Sequence, residues 1–325
     1  MLSLSRRLFL TALAALAVVT TSPSWAADKL KVVTSFTVLG DMVRNIGGEH
    51  VALTTLVGPD GDAHVFDPPP ADARALAQAD LVIVNGLGFE GWIDRLVKAS
   101  GYKGPLVVAS DGIDALKAEE DHGHGHGDAH GSDEKSEKHD DHHHHHHHEG
   151  EFDPHAWQDL ANGRLYVANI ARALAAADTA HADDYRRRAE AYGRELAALD
   201  RDIRSRLDAV PADRRKVITS HDAFQYFGRA YGIDFHAPVG LSTEDEPSAG
   251  EVAALIRQMR DEGIRVLFVD NISDPRLVQQ LAREADAVVG GTLYSDSLSG
   301  STGPAPTYID MFRHNVSEIA KAFTS

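Results

Sequence analysis

Residues 179–210, TAHADDYRRRAEAYGRELAALDRDIRSRLDAV, are rich in Ala, Arg, Glu and Leu and carry no proline until Pro211 closes the run. Tyr185, Ala189, Tyr192, Leu196, Leu199, Ile203 and Leu207 recur at spacings of three and four, which places them on one face of a single helix. About 30 residues at ~1.5 Å rise make a rod of roughly 45 Å. A break into two helices at Gly193 is the alternative, but a mid-helix glycine costs only about 1 kcal/mol, and a packed apolar stripe outweighs that. One continuous helix is the expectation. A rod of this length in mid-chain reads as a rigid connector, and its flanks decide what it connects.

On its N-terminal side, short β-branched runs at 31–35, 51–57, 81–85 and 106–109 alternate with helical stretches at 38–46, 71–79 and 92–99. On its C-terminal side, strands at 216–220, 233–237, 265–270 and 287–290 alternate with helices starting near Ala223, Ser248, Pro275 and Pro306. Strands alternating with helices imply parallel sheets covered on both faces. The expected fold class is therefore α/β, with two lobes, each a mostly parallel sheet flanked by helices, joined by one long backbone helix. The expected division is an N-terminal lobe over 27–178, the helix over 179–210 and a C-terminal lobe over 211–325.

The first 26 residues read as a signal peptide: Arg6 and Arg7 precede an apolar run from Leu8 to Val19, and Ser24-Trp25-Ala26 supplies small residues at a cleavage site. Ser5-Arg6-Arg7-Leu8-Phe9-Leu10 also fits the twin-arginine export pattern, with an ordinary secretory signal as the alternative. No later stretch approaches the ~18 apolar residues of a membrane span. The chain has no cysteine, which excludes disulfides, thiolate ligands, cysteine nucleophiles and a cysteine-borne lipid anchor. Removing Arg6 and Arg7 with the signal takes the formal charge from -17 to -19, so nucleic acid and anionic lipid are not expected partners. A soluble, monomeric periplasmic protein of a Gram-negative cell is the expectation.

Residues 117–151 differ in kind, with 12 of the 19 histidines, eleven acidic residues and almost nothing apolar. Such a segment cannot offset the entropy of ordering and is expected as a disordered loop inside the N-terminal lobe. Its histidines, His122, His124, His126, His130, His139, His142, His143, His144, His145, His146, His147 and His148, are candidates for auxiliary, low-affinity metal binding. An engineered tag is discounted because the run is internal and follows a looser His-Gly series.

Directly after that loop comes Asp153-Pro154-His155-Ala156-Trp157. Taken alone, His155 reads as a satisfied structural histidine. Three further segments change its weight: Gly61-Asp62-Ala63-His64-Val65-Phe66-Asp67-Pro68, Thr219-Ser220-His221-Asp222-Ala223-Phe224, and Thr292-Leu293-Tyr294-Ser295-Asp296-Ser297-Leu298. Each places a metal-compatible side chain just after an expected strand or in a connecting loop. Open α/β sheets bind ligands beyond the carboxyl ends of their strands, so the four loops have a common crevice to share.

In this order of motifs the chain resembles periplasmic metal receptors of the ZnuA type, the cluster A-I solute-binding proteins that deliver zinc or manganese to ABC importers, and within them an AztC-like branch. The resemblance covers the whole mature chain, including the place of the histidine-rich insertion. It implies a site with His64, His155 and His221 as imidazole ligands and Asp296 as the carboxylate. It also implies an ABC permease as membrane partner and allows a periplasmic zinc metallochaperone as a second one. Manganese-binding relatives tend to carry a carboxylate at the position of His221. Three imidazoles and one carboxylate suit four-coordinate Zn2+, whereas manganese favours more oxygen ligands.

Other residues invite plainer readings. Asp222 is expected as a helix cap, with a hydrogen bond to a ligand histidine as the alternative. Asp67 reads as turn chemistry. His50, His181, His236 and His314 have no supporting motif, while Trp157 and Phe66 are expected to wall the site. Glu244, Asp245 and Glu246 form a solvated acidic loop, or a contact for the importer or a zinc donor. Among functions, zinc capture for an ABC importer leads. A manganese receptor and a histidine-rich zinc buffer are the alternatives, and a zinc hydrolase is disfavoured because a fourth protein ligand leaves no open water position.

Overall fold

The computed structural model describes residues 28–118, 151–244 and 246–324. The expected signal peptide, all twelve loop histidines and Asp245 lie outside the described residues.

The first sheet is built from β1 (Leu30–Thr34), β2 (Val51–Thr55), β3 (Leu81–Val84) and β4 (Leu106–Val108), ordered β2-β1-β3-β4 with every pair parallel. Leu81-Val82-Ile83-Val84 is buried at every position, as an apolar run must be when helices cover both faces. Those helices include α1 (Thr37–Gly47), α2 (Pro70–Ala77) and α3 (Ile93–Ser100).

Two helices follow that the sequence did not present equally. The 18-residue α4 (Leu160–Ala177) had no counterpart among the expected elements. Its Asn162, Gly163 and Asn169 look like breakers, yet all three are buried, and a Cβ on Gly163 would sit 2.5 Å from the Tyr308 hydroxyl. The side chain of Asp159 caps it by accepting from the Ala161 amide. The expected rod is a 3-10 turn, Thr179–His181, followed by α5 (Ala182–Leu207), whose 26 residues span about 39 Å. All seven residues of the predicted stripe are buried, and Gly193 stays inside the helix. α4 and α5 pack along each other as a helical hairpin.

The second sheet consists of β5 (Lys216–Ile218), β6 (Asp234–His236), β7 (Val266–Asp270) and β8 (Val288–Leu293), ordered β6-β5-β7-β8 and again parallel. Its helices are α6 (Gln225–Tyr231), α7 (Ala249–Glu262), α8 (Arg276–Ala285) and α9 (Tyr308–Thr324). Ser248 caps α7 in a full capping box with Glu251.

The apolar interior is unequally divided. One large core runs from β1 and β3 through α4 and α5 to Phe227, Phe268, Phe312 and Ile319. A smaller one, centred on Leu255, Met259, Leu267 and Leu281, belongs to α7, α8 and the second sheet. α9 joins the halves: it packs on β8 yet also against α1 and α5, and the Tyr308 amide donates to Asp41 Oδ2 at 3.0 Å. No described helix is long and apolar enough to cross a membrane.

The ends of the expected histidine-rich loop are ordered. Lys117 and Phe152 form an antiparallel bridge, and the Ala118 amide donates to the Glu151 carbonyl at 3.0 Å. The loop's described roots are thus clasped side by side, which corrects the expected disorder at 117, 118 and 151.

Candidate metal centre

His64, His155, His221 and Asp296 come together between the sheets, each offering a ligand atom within 4.8 Å of the others'. His155 and Asp296 are fully buried, His221 is 1% exposed, and the side chain of His64 is 5% exposed on the open side.

The backbone explains the convergence. His221 follows β5, and Asp296 follows β8 by three residues, so both project from carboxyl ends of strands in the second sheet. His64 lies in the connection after β2, and His155 caps a 3-10 turn, Ala156–Gln158, leading into α4. Trp157 Nε1 and Gln158 Nε2 both donate to the Ser295 carbonyl, at 2.9 and 2.8 Å, which ties the turn bearing His155 to the residue before Asp296.

Two of the histidines are held in one way. Asp153 Oδ1 accepts from the His155 amide and lies 2.8 Å from His155 Nδ1. Asp270 Oδ2 accepts from the His221 amide at 3.1 Å and lies 2.6 Å from His221 Nδ1. A carboxylate on Nδ1 fixes that nitrogen as the protonated one and turns Nε2 inward as a ligand. His221 Nε2 is 3.0 Å from Asp296 Oδ2, His155 Nε2 is 3.5 Å from Asp296 Oδ1, and His64 Nε2 is 3.2 Å from Asp296 Oδ2.

Electrostatics follow from burying so much charge together. Burial pushes Asp296 up, but the positive charges of His155 and His221 outweigh it and hold the carboxyl well below its usual range. Burial likewise opposes a cation on His155, yet Asp296 and then Asp153 bring it up to about 9. His221 is raised well above its ordinary value by Asp296 and Asp270 against the same burial penalty. His64 goes the other way, since burial prevails and lowers it. Asp296 Oδ1 has no hydrogen-bond partner although it is buried, a cost that a cation would relieve.

Aromatic rings wall the cluster. Trp157 stands edge-on to His155, with centroids 5.4 Å apart, as expected from sequence. Phe66 sits further out against Trp92, and Phe89, which sequence reasoning missed, packs edge-on to His64 at 4.8 Å. The turn bearing Phe89 has left-handed backbone at Gly86, Leu87 and Gly88. Buried Glu90 holds it by accepting from Ser35 Oγ and the Asn85 and Gly86 amides. Burial pushes the Glu90 carboxyl up despite those bonds.

Asp222 neither caps α6 nor orients His221: its Oδ1 accepts from Gln225 Nε2 at 2.7 Å, and Asp270 has the orienting place. Asp153 and Asp270 were both missed, although Asp153 lay two residues from His155 in plain sight. Asp67 is exposed. His50 and His181 stack at 3.9 Å and pair with Asp184 and Asp178, and His314 lies 2.9 Å from the Thr292 carbonyl. His236 sits near Asp234 and Glu262, but Lys216 Nζ, 2.6 Å from Glu262, already neutralises that group.

Two parallel-sheet lobes that close around a buried cluster of ligand-type side chains have the build of a metal-binding solute-binding protein. Residues 32–322 match the model of the family described as zinc-uptake complex component A, periplasmic. The chain belongs to that family, a group of metal-binding components of ABC importers. It is 33% identical to the iron-binding protein YfeA of Yersinia pestis, over 93% of this chain and 89% of that one. It is 31% identical to the manganese-binding lipoprotein MntA of Halalkalibacterium halodurans, over 91% and 89%. Among solved structures, the periplasmic zinc-binding protein TroA of Treponema pallidum superposes with a TM-score of 0.79 at 27% identity, covering 91% of this chain and 99% of that one.

Proposed function

We propose that the protein captures Zn2+ in the periplasm with His64, His155, His221 and Asp296 and delivers it to the permease of an ABC importer. The carrying observation is the donor set: three imidazoles converge on one carboxylate whose Oδ1 is buried without a hydrogen-bond partner, with His155 Nε2 at 3.5 Å. Such a set suits four-coordinate zinc. The ion is cargo, and no group in the cluster is asked to do chemistry on it. The names of the iron- and manganese-binding relatives favour a second reading in which another divalent ion is the cargo. The oxygen supply argues for zinc, since manganese would ask for more than the one carboxylate here.

Competitive titration of the mature protein, with and without residues 119–150, tests this. One tight zinc site that survives the deletion, and that manganese does not displace at equal concentration, is expected. Loss of all tight binding with 119–150 would make the protein a histidine-rich buffer, and displacement of zinc by manganese would overturn the cargo assignment.

A further inference from the structure

His64 is held differently from its two partners. Buried carboxylates fix the Nδ1 atoms of His155 and His221, whereas among the described residues no acid does this for His64. Its place is set through the backbone. Asp62 Oδ1 accepts from the His64 amide at 2.9 Å, and Trp92 Nε1 donates to the Ala63 carbonyl at 2.8 Å. The other oxygen of Asp62 faces the opposite lobe, where it accepts from Thr243 Oγ1 at 2.6 Å. Among the described residues this is the one hydrogen bond between the segment 241–247 and the first lobe.

The surroundings give that bond a position of consequence. One cavity is lined by His64, Phe89, Leu241 and Ser242, and a second by Asp62, His221 and Thr243. The segment carrying Thr243 therefore stands between two approaches to the same cluster. The start of the His64 loop is fixed elsewhere: the Asp60 amide donates to the Leu298 carbonyl at 3.0 Å, and Asn271 Nδ2 to Asp60 Oδ1 at 3.1 Å. The loop is thus stapled at Asp60 and clasped a second time at Asp62, next to the most exposed of the four side chains.

We propose that Asp62 and Thr243 are positioning residues that latch His64 onto the bound ion and so set the rate at which the protein releases it. This rests on the capture reading above. Release requires one ligand to leave first. His155 and His221 are each anchored by two bonds to a buried carboxylate, so His64 is the ligand free to swing. When the 62–64 backbone moves out with His64, Asp62, bonded to the His64 amide, is carried away from Thr243, so the hydroxyl–carboxylate bond adds to the barrier for dissociation. Encounter of the ion with the open form does not involve that bond.

The test is stopped-flow dissociation of zinc into excess chelator, together with the association rate, for the wild type, Thr243→Val, Thr243→Ser and Asp62→Ala. A charge-assisted hydrogen bond of this kind predicts about ten-fold faster dissociation for Thr243→Val with an unchanged association rate. Thr243→Ser restores the wild-type rate, and Thr243→Val adds nothing in the Asp62→Ala background. Dissociation within two-fold of wild type in Thr243→Val, or a Ser variant as fast as the Val variant, overturns the latch. A wild type without a tight zinc site overturns the capture reading beneath it.

Discussion

His155 and His221 meet the same requirement in two regions of the molecule by different routes. In the first lobe the orienting acid lies two residues upstream, and a tight Asp-Pro-His turn lets one oxygen reach both the amide and Nδ1 of His155. In the second lobe the same pair of bonds reaches His221 from Asp270, 49 residues away at the end of β7. Strand pairing supplies what sequence adjacency does not: β5 and β7 are neighbours, with Ile218 opposite Leu267, so residues beyond their carboxyl ends lie side by side. Equivalent geometry can thus be built by a local turn or by sheet register, and only the first shows in the sequence.

The largest expected loss is at Asp296, which both halves share. Asp296→Ala should lower zinc affinity on the order of a thousand-fold, since four ligands divide a typical zinc binding energy of about 10–16 kcal/mol. Isothermal titration would check this, and retention of tight binding would break the symmetry of the site at its centre.

Next come the two cores. Leu281→Ala and Leu174→Ala both delete fully buried side chains and should each cost about 2–5 kcal/mol. They should differ in extent. Hydrogen exchange should show α7 and α8 losing protection in Leu281→Ala while α4 and α5 keep theirs, whereas Leu174→Ala weakens both lobes. Uniform loss in both variants would show that the smaller core has no independence.

Asp153→Asn and Asp270→Asn test the equivalence itself. Each leaves Nδ1 with a weaker acceptor, and each should cost about 10–100-fold in zinc affinity. Similar losses are expected despite the different sequence separations. A variant that left affinity unchanged would show that one of the two acids serves only the fold.

The smallest effect is in pH. The folded, metal-free protein raises His155 from 6.5 to about 9, so its cation adds stability that is fully present below pH 6.5 and lost as pH climbs through about 9. Zinc must displace that proton, and affinity should therefore keep rising from pH 7 to about 9, past the point where an unperturbed histidine would have finished titrating. His64, lowered by burial, adds no competition in that window. Calorimetry in buffers of different ionisation enthalpy should find proton release on binding, and an affinity flat between pH 7 and 9 would contradict the assignment.

Legibility followed distance along the chain. The stripe of α5 was readable because helical period is local, and its seven members are all buried. α4 escaped because its buried face is made partly of Asn and Gly: Gly163 makes room for Tyr308, 145 residues on, while Asn169 donates to the Ala109 and Asp111 carbonyls about 60 residues back. The strands were found to within a few residues, while their spatial order was beyond reach. Among the four candidate ligands, residue type and flanking motif were visible; Phe89 was hidden because a strained turn, held by buried Glu90, and not a pattern, puts it beside His64.

By itself the sequence determined the alternation of most strands and helices, the buried stripe of the connecting helix and the kinds of side chain available to hold an ion, since period and composition are properties of neighbouring residues. Tertiary structure decided the rest: that α9 returns to share the first lobe's core, that Asp270 and not Asp222 orients His221, and that Thr243 reaches Asp62. Such contacts join residues tens to hundreds of positions apart. They are fixed by sheet register and by packing around a common core, which no local preference encodes.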